Sequence, residues 1–178
     1  MNKILNLIDK VIKYLIITFL TLMVVLVFMQ VIFRFVLNNP LQWSEELSRF
    51  LFVWISFLGA SLALKQGQHL GIDVFLKLFP RKLSKFFIFL SYIFILIFLV
   101  GISYKGVGVL NIVSRQRSAS LRIPMIYPYS GVFIGLFLMI INTINILKNM
   151  VFGNALDEIL DGKTEDYKID GDTTKYQE

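Results

Sequence analysis

Four long stretches of this chain carry no charged residue: 14–33, 50–64, 86–104 and 123–147. Within them the apolar residues run continuously rather than alternating. That pattern predicts membrane-spanning helices and not barrel strands. A helix needs about 20 apolar residues to cross a hydrocarbon core of about 30 Å. Three stretches approach or exceed that length. The second has 15 residues, which cover only about 22 Å at about 1.5 Å per residue. It must therefore borrow residues from its N-terminal side, as far as 41–43. That extension draws Glu45, Glu46 and Arg49 to the membrane boundary or inside it. The expectation is an all-α membrane protein with four transmembrane helices at about 12–37, 42–64, 84–110 and 124–149. The first apolar run is too long for a cleaved signal peptide, and no small-x-small site follows it.

Two further segments have an amphipathic pattern. Lys3, Asn6, Lys10 and Lys13 recur at helical spacing, with Ile4, Ile8, Val11, Ile12 and Leu15 opposite them. This is either a basic interfacial helix or the continuation of the first span. Between spans two and three, Ile72, Phe75, Leu76 and Phe79 share one face, while Asp73, Lys77 and Arg81 lie around the other. Gly71 before and Pro80 after bound a second short helix along the interface.

Composition narrows the class. Hydrophobic residues make up 56% and charged residues 17%, against about 45–50% and about 25% in soluble domains. The absence of cysteine excludes a disulfide framework, a zinc-thiolate site, an iron–sulfur cluster and a Cys nucleophile. The net charge of +6 is a sum of unlike parts. Residues 1–153, the membrane domain, hold 15 basic and 4 acidic residues, whereas 154–178 hold 3 basic and 8 acidic. The basic part reads as topology and contact with membrane lipids, not nucleic-acid binding. The acidic tail reads as a solvated, disordered cytoplasmic segment. Lys and Arg favour the side that carries Lys3, Lys10, Lys13, Lys65, Lys77, Arg81, Lys82, Lys85 and Lys148. By the positive-inside rule that side, with both termini, is cytoplasmic.

The candidate chemistry lies near the first hairpin. Glu45 and Arg49 are spaced i,i+4 and Glu46 and Arg49 i,i+3, and Arg34 is brought to similar depth by the short connection. Two carboxylates and two guanidiniums sum to zero charge. This is either an ion or proton site or a neutral polar cluster at a subunit interface. The matched charge favours the second reading. Trp43 suits an aromatic belt, and Trp54, deeper, suits helix packing. Gly59 and Ala60 suit close helix approach. The lone histidine, His69, has Asp73 at i+4 but no second histidine, so it fits a role in the cytoplasmic interfacial loop rather than a metal site. Ser61 with His69 would make an incomplete hydrolytic set. Arg115 and Arg117 lie on the predicted outer face as candidate contacts for an acidic partner.

The run from Arg34 through Asn38-Asn39-Pro40-Leu41-Gln42-Trp43-Ser44-Glu45-Glu46 to Arg49 continues into Leu51-Phe52-Val53-Trp54 and Leu58-Gly59-Ala60. His69-Leu70-Gly71-Ile72-Asp73 and Leu121-Arg122-Ile123-Pro124-Met125 follow in order. Over about residues 1–150 the set resembles the small membrane subunit, DctQ type, of tripartite ATP-independent periplasmic (TRAP) transporters. The resemblance implies a multi-pass protein of the bacterial inner membrane that is not an enzyme. It implies no cofactor, no metal and no substrate-binding residue in this chain. It further implies a large permease subunit as partner and a periplasmic substrate-binding protein that docks on the assembly. The transport implied is sodium-coupled uptake of an organic acid, such as a C4-dicarboxylate or sialic acid. Binding-protein contacts at Arg115 and Arg117 fit that scheme. The family often has Trp soon after Ile-Pro-Met, whereas Ile126-Tyr127-Pro128 follows here. Two other readings stand beside it: a self-contained channel or exchanger using Glu45 and Glu46, and an intramembrane enzyme using Ser61 or His69.

Overall fold

The computed structural model describes residues 2–65 and 81–152. They form four helices: α1 (Asn2–Phe35), α2 (Gln42–Lys65), α3 (Arg81–Val113) and α4 (Ile126–Phe152). Each contains a segment long and apolar enough to cross a membrane. Neither Pro nor Gly occurs between Asn2 and Phe35, so the basic N-terminal stretch and the first span form one continuous helix. Its 34 residues would reach about 51 Å at about 1.5 Å each, well beyond the hydrocarbon core. The N-terminal turns therefore extend past the span without a break, and no separate interfacial helix forms there. The proposed short helix around Ile72–Phe79 and the tail at 154–178 lie outside the described residues.

The helices make two hairpins. In the first, α1 and α2 run antiparallel. The Asp9–Lys65 ion pair joins them at the end near the N-terminus. The Phe19 and Trp54 rings meet edge to face at 6.0 Å midway, and Gln30 donates to Glu45 at 3.4 Å near the turn. The turn forms because Asn38 adopts φ 49°, a conformation Asn tolerates better than most residues. The Asn39 N–H reaches back to the Phe33 carbonyl at 3.0 Å, and Pro40 precedes α2. In the second hairpin α3 and α4 are antiparallel. Leu99, Leu136 and Met139 are buried near the middle, and Ile88, Tyr92 and Met150 toward the end away from the connecting loop.

The hairpins join through their second helices, α2 and α4, which run parallel. The major contacts follow the spatial order α1, α2, α4, α3, so the helices stand in a row. In lipid, apolar burial gives little drive for helix association. Close packing and polar ties must hold the row together. Glycines supply the packing. A Cβ built on Gly135 would lie 2.6 Å from the Phe57 Cβ and 2.9 Å from its backbone, and one on Gly131 would lie 2.7 Å from the Trp54 ring. Gly131 and Gly135 are four apart, on one face of α4, and let α2 approach closely. Gly59, nominated from the sequence for this task, meets nothing within 4 Å, and Ala60 is exposed. Trp54 and Phe57 occupy the α2 face toward α4, and Gly59 is two residues past Phe57, about 200° around the helix.

Candidate functional site

The sequence grouped Arg34, Glu45, Glu46 and Arg49 into one neutral cluster. The structure divides them. Adjacent helical residues point about 100° apart, so Glu45 and Glu46 cannot share a direction. Glu45 lies toward α1 and the exterior, with Arg49 Nη2 3.9 Å from its Oε1 and both side chains more than half exposed. Such a pair contributes little. Arg34 does not join it. Its guanidinium carbon lies 5.7 Å from the Phe35 ring centroid, because α1 has nearly ended and its last turn points outward.

Glu46 turns the other way, toward the second hairpin. It is buried, and its carboxylate clamps the loop between α3 and α4. Oε1 accepts the Ala119 N–H at 3.1 Å. Oε2 accepts those of Ser120 at 3.0 Å and Leu121 at 2.8 Å. Three successive backbone donors converge on one carboxylate, which makes a compact anion-binding turn. The local fold of α2 aims Glu46 there. Pro40 ends the preceding connection, and the Ser44 hydroxyl donates to the Leu41 carbonyl at 2.8 Å, fixing the first turn.

The clamped loop is itself ordered by backbone bonds. Ser118 N–H donates to Ile123 O at 2.9 Å and Met125 N–H to Gln116 O at 3.0 Å. Arg117 and Pro124 form an antiparallel bridge. Arg122 takes φ 53°, a left-handed conformation disfavoured for a side chain of its kind. The bonds on either side hold it there. The result is a rigid loop with Arg115, Arg117 and Arg122 exposed on its surface.

Below the loop Trp54 bridges three helices. It stacks edge-on to Phe19, packs on Gly131, and donates Nε1–H to the Tyr127 carbonyl at 3.2 Å. Trp43 remains exposed beside the first turn of α2. A second buried tie lies further along, where Asn142 Nδ2 donates to the Ser61 carbonyl at 3.0 Å. The Ser61 hydroxyl is buried and donates to Leu58 O at 2.7 Å, a local helix bond. His69 and Asp73 fall outside the described residues.

Several of these features escaped the sequence reading. Asp9–Lys65 links positions 56 residues apart, and no local spacing announces it. Asn142 is a polar residue inside an apolar run, which is a usable signal in a membrane helix. The four-residue spacing of Gly131 and Gly135 was also a visible small-residue motif.

Known proteins share this pattern. The family model for the DctQ component of tripartite ATP-independent periplasmic transporters matches residues 23–153. A Haemophilus influenzae chain assigned as a TRAP transporter small permease protein is 39% identical over 80 residues, covering 45% of this chain and 50% of that one. The C4-dicarboxylate TRAP transporter small permease protein DctQ of Vibrio cholerae is 34% identical over 79 residues, 44% of this chain and 34% of its own length. The sialic acid TRAP transporter permease protein SiaT of Haemophilus influenzae is 44% identical over 57 residues, 32% of this chain and 9% of that one. The chain thus spans half the length or less of these three relatives. The family match covers the last part of α1, all of α2 and the second hairpin, with the Glu46 clamp and the loop it holds. With its four spans, the chain is a multi-pass protein of the bacterial inner membrane and belongs to the DctQ component family of TRAP transporters, a permease component and not an enzyme.

Proposed function

We propose that this small permease subunit is a non-catalytic scaffold. It packs against a large permease subunit and presents the 114–125 loop to a periplasmic substrate-binding protein. Its system takes up an organic acid by sodium coupling, and both of its termini face the cytoplasm. The observation that carries this reading is the Glu46 clamp. A carboxylate from one hairpin spends both oxygens on the loop of the other. That locks a basic surface to a rigid row of helices, which suits a docking platform.

Two further observations support it. In α1 only 6% of the most apolar window is buried within the chain, leaving a long apolar face for lipid or a neighbouring subunit. The similarity to SiaT falls within a chain of which the match makes up only 9%, which suits a small component working beside, or joined to, a much larger permease. Two of the matched relatives are named for C4-dicarboxylate and sialic acid transport, so the substrate class is a carboxylate of that kind.

The test is reconstitution with the neighbouring large permease and binding protein. The large subunit should co-purify, and uptake should require both membrane subunits and the binding protein. The Arg115→Glu/Arg117→Glu double variant should lose binding-protein docking and uptake while still co-purifying with the large subunit. Unchanged docking would remove the loop from its role. Sodium-dependent uptake by the 178-residue chain alone would overturn the scaffold reading.

A further inference from the structure

A cleft of about 550 Å³ opens between α2, the 114–125 loop and the start of α4. That volume lies in the range of small-ligand sites, roughly 300–1,000 Å³. Its rim carries Arg49 and Arg117, and its walls are apolar, with Phe50, Val53, Phe57 and Val132 among them. We propose that this cleft binds one anionic phospholipid, with the phosphate between Arg49 and Arg117 and an acyl chain along the apolar walls.

Charge, length and closure argue for that occupant. Among the described residues that line the cleft, Glu46 is the one acidic residue against two arginines, and both of its oxygens are taken by loop amides. Arg49 is held only loosely by Glu45 at 3.9 Å. Among the described residues Arg117 forms no ion pair. The rim therefore offers guanidinium donors, which suit a phosphate geometrically. From Glu46 to Phe57 is 11 residues, about 16 Å along the helix, or about one leaflet of a core about 30 Å thick. Beyond that point Gly135 brings α4 against the Phe57 backbone and closes the cleft. A partner helix would need a groove continuing across both leaflets. A charged rim above one leaflet's depth of apolar wall instead matches a lipid. The five N–H donors of Arg117 leave it able to meet a protein partner at the same time.

The experiment is native mass spectrometry of the full chain, stripped of lipid in mild detergent and titrated with phosphatidylglycerol or phosphatidylcholine. One phosphatidylglycerol adduct should form with at least about tenfold preference, a difference of about 1.4 kcal/mol. Arg49→Gln/Arg117→Gln should abolish the preference, and Val132→Trp should abolish the adduct. Because Val132→Trp could disturb folding, a photo-crosslinking residue at position 53 supplies an independent reading in intact membranes. A crosslink of phospholipid mass supports the site. A crosslink to another protein, equal binding of both lipids, an unaffected arginine variant, or displacement by soluble glycerophosphate would each overturn it.

Discussion

Gly135→Ala should destabilise this protein, although the same change at Gly59, Gly101 or Gly108 should not. An alanine Cβ at position 135 would lie 2.6 Å from the Phe57 Cβ and 2.9 Å from both its carbonyl carbon and oxygen. Ordinary carbon contacts are about 3.5–4.0 Å, so α2 and α4 must separate by about 1 Å. A side chain could swing away, but the Phe57 backbone can move only with its helix. The separation is then felt by the Trp54–Tyr127 and Asn142–Ser61 hydrogen bonds, at 3.2 and 3.0 Å, which cross the same interface. Overpacking of this kind costs about 1–3 kcal/mol. Gly59, Gly101 and Gly108 meet nothing within 4 Å. Alanine there should be neutral or stabilise by up to about 1 kcal/mol, the difference in helix propensity. Reversible unfolding of each variant in mixed micelles, followed by far-UV circular dichroism, gives the comparison. If Gly135→Ala proves as stable as Gly101→Ala, the close parallel packing of α2 on α4 is wrong.

Three other perturbations probe the remaining ties. Glu46→Gln replaces one acceptor oxygen by a donor facing loop N–H groups, so amide hydrogen exchange at residues 119–121 should accelerate while exchange in α3 stays constant. Equal exchange in both proteins would show that the clamp does not hold the loop. Arg122→Gly removes the Cβ penalty at φ 53° and should leave stability unchanged or raise it by about 1 kcal/mol; a clear loss in thermal unfolding would count against a backbone-only role. Asp9→Asn and Lys65→Met each break the half-buried pair between α1 and α2. A double-mutant cycle should give a coupling of roughly 1–3 kcal/mol, between the exposed and buried limits, and additivity would mean the pair contributes nothing.

The sequence by itself determined the fold class, because membrane solvation is a local constraint. A continuous run of apolar residues must be helical to satisfy its own backbone, so four charge-free stretches already specify four helices. It also marked 34–49 as unusual, since charge near lipid is costly wherever it falls. What it could not decide was partnership. Glu45 and Glu46 are neighbours in sequence, yet helical rotation sends one outward to Arg49 and the other across to residues 119–121. The choice depends on α4 lying parallel to α2, and nothing local to Glu46 encodes that. Likewise Gly59 and Gly135 look equivalent as small residues in apolar runs. Only the angular position of Trp54 and Phe57 against α4 makes Gly135 the close contact and leaves Gly59 open. Helix formation is settled within each segment, whereas pairing depends on which faces meet, and that is a property of the assembled row.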